Sequence, residues 1–246
     1  MYDLSFDAAH RTFADWKRTH PDDPMGPVSD GAAYLFAEFE RLHILESELF
    51  TNDALFKSSK QLTPDPAAKN AFDREMAAGH QLTARVLARD PADSSAMLTE
   101  VMARGMQSDY LALVEKRYLS SLDEMKSSRR LAEQLLTAHP DCADSNLAIG
   151  LENYILSLKP APVRWLLRMG GAQTDQQEGV VTLRKTAQNG VLLQPFARLL
   201  LAVAALRAKD PQGARRILEG LVTDFPHNHL YATELAKLNP TKAGKP

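Results

Sequence analysis

A single cysteine, Cys142, is all that the 246 residues carry, so no disulfide can form within the chain and packing has to hold the fold. Long apolar runs are also missing. The longest, residues 199–206, stands between Arg198 and Arg207 and is far short of the roughly 20 residues that cross a bilayer, so no membrane span is expected. The chain opens Met1-Tyr2-Asp3 without the basic stretch and apolar centre of an export signal. As given it reads as soluble, in the cytoplasm or, if a signal has been removed from a precursor, in the periplasm. Neither charge dominates: 29 Lys and Arg face 31 Asp and Glu, a net of −2. With no block of one sign, no nucleic-acid partner is expected. Gly170-Gly171 has neither a G-x-x-x-x-G-K-[ST] nor a G-x-G-x-x-G frame and follows no strand pattern, so it is read as a turn rather than a phosphate loop.

What is present is an ordinary globular composition, 44% hydrophobic and 24% charged, arranged in helical periods. Residues 196–228 carry two apolar helical patterns separated by Lys209-Asp210-Pro211 and closed by Pro226. Proline has no amide hydrogen and drives the residue before it out of helical geometry, so each proline marks a helix boundary. Ala202 and Ala214 are the small residues of this unit, and Leu201, Leu218 and Leu221 the larger apolar ones. Two antiparallel helices approach closely where small side chains face each other, which makes Ala202 and Ala214 the expected contact pair.

The same grammar recurs along the chain. Ala9, Phe13 and Trp16 stand before Pro21 as Ala214, Leu218 and Leu221 stand before Pro226, with Gly31 and Tyr34 following. A helix is expected over residues 32–50. Its Glu40-Arg41-Leu42-His43 has half the ligand spacing of a di-iron bundle site, but no second E-x-x-H exists in the chain, and a solvated charged face explains it. No metal or cofactor is expected. Residues 51–70 break the period and read as a long connection, with Leu55-Phe56 packing back on the first repeats. Phe72, Met76, Gly79, Thr83 and Val86 lead to Pro91; Met97, Met102 and Met106 beyond it read as core packing. Ser128, Ala132 and Leu135 precede Pro140, and Ile149-Gly150 follows. A short helix over 163–169 takes Trp165 as its anchor. Asp175 and Asn189-Gly190 bound a further helix. Residues 229–238 supply a capping helix and 241–246 a tail.

These residues, most specifically Ala9-Phe13-Trp16-Pro21-Gly31-Tyr34, Ile149-Gly150 and Ala202-Ala214-Leu218-Leu221-Pro226, resemble the tetratricopeptide-repeat (TPR) superfamily, with irregular units like those of bacterial members of unassigned role. The resemblance implies an all-α fold, a right-handed alpha-alpha superhelix forming a single domain over 1–240, with repeats at about 3–50, 70–113, 123–158 and 175–228. It further implies a non-enzymatic scaffold that binds a peptide or protein segment on the concave face of the solenoid. The groove candidates are then Asp144, Leu147, Leu151 and Tyr154 in the third unit, and Phe196, Leu199, Val203 and Arg207 in the last. The helix from Phe196 is apolar nearly all round, so its concave side has to be covered by the C-terminal helix or by a partner. Two rival readings are self-assembly into a homodimer through a solenoid end, and an enzyme using His43, His80, His139, His227 or His229 with nearby carboxylates.

Overall fold

Proline placement dictates where several helices stop. In the computed structural model, which describes residues 1–46 and 62–238, the residues before Pro21, Pro91, Pro140 and Pro226 leave their helices with φ between −130° and −134°. Each of these residues, His20, Asp90, His139 and Phe225, still donates its N–H to the carbonyl four residues back, at 2.7 to 2.9 Å. Three residues on, the N–H groups of Asp23, Asp93, Cys142 and Asn228 bond back to their carbonyls at 3.1 to 3.2 Å. One stop signal is thus used four times with the same geometry, as the pre-proline restriction requires.

Among the described residues the result is eleven α-helices and no strand. In chain order they are α1 (Phe6–Thr19), α2 (Met25–Arg41), α3 (Pro66–Arg89), α4 (Ser94–Asp109), α5 (Tyr118–Ala138), α6 (Asn146–Ser157), α7 (Ala161–Met169), α8 (Gln176–Asn189), α9 (Gln194–Arg207), α10 (Pro211–Asp224) and α11 (His229–Lys237). Their starts are chemically marked. Asp65, Asp93, Asp175, Asp210 and Asn228 each accept from a first-turn N–H of α3, α4, α8, α10 and α11, satisfying donors that no intrahelical carbonyl can reach. Pro66 at the first position of α3 places that helix inside the stretch read as connection through residue 70. In turn α2 begins before residue 32 and ends at Arg41. Leu55-Phe56 and the tail 241–246 lie outside the described residues.

Most helices pack chiefly on a neighbour in the chain, and the closest pairings are α2 with α3, α4 with α5, α6 with α8 across the intervening α7, and α9 with α10. The hairpins therefore occupy 25–89, 94–138, 146–189 and 194–224 rather than the expected intervals 3–50, 70–113, 123–158 and 175–228. Insertions between paired helices account for the difference. Residues 42–65 separate α2 from α3, a π-helical turn (Tyr110–Val114) follows α4, and α7 lies between α6 and α8. Small residues sit at the crossings. A Cβ added to Gly150 would lie 3.0 Å from the Gly179 carbonyl oxygen, and one added to Gly179 would lie 2.7 Å from the Tyr154 amide nitrogen. In the second hairpin the Ser128 hydroxyl donates to the Val101 carbonyl at 2.8 Å and Ser108 meets Ser121 at 3.0 Å. Ala202 and Ala214 are both buried where α9 meets α10.

The core is accordingly a string of clusters. One gathers Val28, Leu35, Phe39, Phe72 and Met76, another Leu147, Tyr154, Leu183 and Ala197, and a third Ala202, Leu218, Leu221 and Tyr231. The two ends of the row meet. The Tyr2 hydroxyl donates to the Leu192 carbonyl at 2.9 Å, Asn228 Nδ2 donates to the Tyr2 carbonyl at 2.8 Å, and the Phe36 and Phe196 rings stand edge-on at 5.8 Å.

Candidate functional site: an apolar channel on the inner face

Where the ends meet, the inner surfaces of α2, α4, α6 and α9 enclose a cavity of about 750 Å³, counting the space that opens to solvent. A second, of about 510 Å³, continues it towards α11. Both share Met1, Tyr2, Phe36 and Phe196 in their walls, so the N-terminal residues are part of the lining of this apolar channel. Met102, Met106 and Met125 give it soft walls, suited to occupants of varied shape. Asn228 works at its edge with both ends of its amide: Oδ1 caps α11, accepting from Leu230 and Tyr231 N–H at 3.0 and 3.4 Å, while Nδ2 holds the Tyr2 carbonyl.

Four of the eight groove candidates face this channel. Leu147, Leu151 and Phe196 line the first cavity, and Phe196 and Leu199 the second. The other four line neither. Asp144 belongs to the 3-10 turn ahead of α6, and its carboxylate accepts from the N–H groups of Val191, Leu192 and Leu193 at 3.0 to 3.1 Å, which binds it to the α8–α9 connection. Tyr154 lies one turn beyond Leu151, directly against Gly179. It is 2% exposed with its hydroxyl unpaired, and burial raises its pKa while the Arg207 charge opposes the rise. Val203 and Arg207 sit further along α9, partly exposed. Beside α9, Leu199 shares the second cavity with Met1 and Tyr2 and with Leu230 and Tyr231 of α11, and packs against the cluster that contains Tyr231.

Sequence reading missed Asp109, a carboxylic acid in the wall of the first cavity. The residue as a whole is half-buried, and desolvation of its carboxyl pushes its pKa up to about 7. Aspartate at the end of a polar-looking helix gives no signal of this, because the residues that share the cavity with it come from segments distant in sequence. Met102 and Met106, read as core packing, do pack in a buried cluster and also line the channel.

The histidine and carboxylate pairs lie elsewhere. His80 bonds Glu100 at 2.8 Å and Gln107 at 3.0 Å between α3 and α4. The Glu100 hydrogen bond raises the His80 pKa against the opposing effect of burial; burial works to raise that of Glu100, but His80 and Arg104 bring it below the usual value. His139 bonds the Ala92 carbonyl at 2.8 Å, and His229 stands 3.6 Å from Glu40. Glu40 and His43 do not share a helical face, because α2 ends at Arg41 and His43 has φ +58°. No histidine lines either cavity. Among the described residues no helix is long and apolar enough to cross a membrane.

Comparison of the chain with protein-family models, with curated proteins and with solved structures finds no match.

Proposed function

We propose that the protein is a non-enzymatic adaptor, a TPR-like right-handed solenoid whose inner channel holds an apolar segment of a protein or peptide partner. One observation carries the reading: the channel already grips a short piece of polypeptide. Met1 and Tyr2 line it together with Phe36 and Phe196, the Tyr2 ring stands 5.6 Å from that of Phe225, the Tyr2 main-chain carbonyl is held by Asn228 and its hydroxyl is bonded to Leu192. An amide donor for the backbone and an apolar trough for side chains are the parts a peptide-recognition groove needs. Met102, Met106, Met125, Leu147 and Leu151 extend the trough beyond the segment now seated in it.

The test is affinity capture from a lysate with wild-type protein beside Leu151→Trp, which fills the channel, and Tyr2→Ala, which loosens its present occupant. The reading expects a protein enriched by the wild type, enriched more by Tyr2→Ala, and lost with Leu151→Trp. Equal enrichment by all three proteins, with Leu151→Trp folded by circular dichroism, overturns it.

A further inference from the structure

The helix α7 is built inside out. Four of its apolar side chains, Val163, Trp165, Leu166 and Met169, are 43%, 64%, 64% and 68% exposed, Leu167 is half-buried, and none of its residues is fully buried. Its arginines turn back to the protein instead. Arg164 donates to the carbonyls of Ser157 and Lys159 at 3.2 and 3.1 Å, and Arg168 to the Thr174 hydroxyl at 2.6 Å. The feet of the excursion are pinned by buried polar groups. Arg129 holds the Gly171 carbonyl at 3.1 Å, Glu152 accepts from the Gln173 N–H at 3.0 Å, and Asn153 accepts from the Asp175 N–H at 3.0 Å. The outward display of α7 is therefore fixed by the fold.

Charge identifies what the display fits. Residues 153–174 contain Lys159, Arg164 and Arg168 and no acidic residue. From α5, Lys126 adds a fourth cation, its Nζ donating to the Gly170 carbonyl at 2.8 Å. The bonds of Arg164 and Arg168 go to carbonyl or hydroxyl oxygens rather than to carboxylates, while Lys126, bonded to the Gly170 carbonyl, also acts on the Glu152 carboxylate. A short amphipathic helix with Trp, Leu and Met on one face and cations along its flanks matches the headgroup boundary of an anionic bilayer, where apolar side chains enter and cations meet lipid phosphates and carboxylates. A second copy fits less well, since a two-fold contact would bring the same cations face to face. We propose that α7 is a membrane-surface anchor, docking the protein on anionic lipid through Trp165, Leu166 and Met169.

The test uses the full chain with vesicles of phosphatidylcholine, with and without phosphatidylserine, read by co-sedimentation. Trp165 emission is followed in a Trp16→Phe background, because the chain has two tryptophans. The expected result is binding about tenfold stronger to the anionic vesicles, weakened by salt, with Trp165 emission shifted to the blue. Trp165→Ser/Leu166→Ser should lower binding at least about tenfold, and so should Met169→Glu alone, each with an unchanged thermal melt. Failure to sediment with either vesicle overturns the proposal, as does binding that survives both variants. A dimer in light scattering that Met169→Glu dissolves, without vesicle binding, would assign the face to a second copy instead.

Discussion

The third and fourth hairpins bring two helices together in the same way and join them differently. Between α9 and α10 the chain needs only residues 208–210, and the pair is sealed by an apolar cluster of Ala202, Leu218 and Leu221. Between α6 and α8 it leaves for residues 158–175, builds α7, and returns. The return is secured by polar groups. Arg129 Nε donates to Glu152 at 3.0 Å and Nη1 to Glu133 at 2.7 Å, Asn153 Nδ2 donates to Gln173 at 2.7 Å, and Gln173 Nε2 donates to Glu133 at 3.0 Å. A repeat can therefore take an insertion between its helices without losing their crossing, provided the departing and returning strands of chain are fixed. Directional hydrogen bonds fix them, whereas apolar contact alone would leave them free to slide.

The largest expected effect breaks the polar side of this comparison. Glu152 is 0% exposed and Arg129 8%, so Glu152→Ala leaves a buried guanidinium with one carboxylate fewer and the Gln173 N–H without its acceptor. Loss of about 4 kcal/mol is expected, read by urea denaturation. Leu218→Ala, its counterpart in the fourth hairpin, should cost about 3 kcal/mol by leaving a cavity. The two should also differ in kind. Glu152→Ala should open α7 to proteolysis before the rest unfolds, and Leu218→Ala should not.

The crossings sharpen the comparison next. At Gly179 an added methyl group meets the Tyr154 amide and the Gly150 carbonyl, both backbone atoms that cannot swing aside. Gly179→Ala should thus cost about 3 kcal/mol despite the better helix propensity of alanine. At the buried Ala214 the reverse change, Ala214→Gly, should cost only about 1 kcal/mol. Thermal melts of the two variants would show whether the third crossing is the closer one.

Two acids buried in different company give a pH-dependent version. For both Glu152 and Asp109 burial is the leading cause of a raised pKa, but Glu152 has Arg129 and the Gln173 N–H opposing the rise, and Asp109 has no opposing group. Asp109 is protonated in the native protein up to about pH 7, whereas an unfolded aspartate ionises near 4. Native stability is therefore fully present below about pH 4 and falls as the pH rises through 7. Since water can enter the channel, the loss is set at about 2 kcal/mol rather than the full value of the shift. Asp109→Asn should be near neutral at low pH and gain about that amount above pH 7, measured as the difference between denaturation midpoints across the range.

Much of the helical frame was legible because it rests on local chemistry. Asp175 and Asn189 bound α8 as read from the sequence, and the four prolines mark the ends of α1, α3, α5 and α10. Hairpin pairing was less legible, since three insertions interrupt the period that would reveal it. Trp165 was expected to be the anchor of α7 and is 64% exposed: periodicity marks an apolar face without saying which way the helix is turned. Of the groove candidates that the resemblance implied, Leu147, Leu151, Phe196 and Leu199 line the cavities, but Asp144 and Tyr154 were not separable from them by spacing. Their fates depend on the α8–α9 connection and on Gly179, which are distant in sequence. Met1 and Tyr2 could not be placed at all, because what seats them is the meeting of the two ends of the chain.

The smallest effect lies in the two turns that close α7 and α9. Both helices end in the same motif. Ala172 donates to Leu167 at 3.0 Å and Gly171 to Arg168 at 2.9 Å; Asp210 donates to Ala205 at 2.9 Å and Lys209 to Leu206 at 3.1 Å. These are the paired bonds of a Schellman ending, which needs one residue in the left-handed region. The third hairpin supplies Gly171 at φ +79°, and the fourth supplies Lys209 at φ +59°. A lysine pays for that conformation with contact between its Cβ and the backbone, partly offset by the greater freedom glycine has when unfolded. Lys209→Gly should therefore stabilise by about 0.5 to 1 kcal/mol and Gly171→Ala destabilise by a similar amount, both read from thermal melts. If both changes prove neutral, the two turns are held by their surroundings rather than by their own residues, and the short connection of the fourth hairpin owes nothing to local sequence.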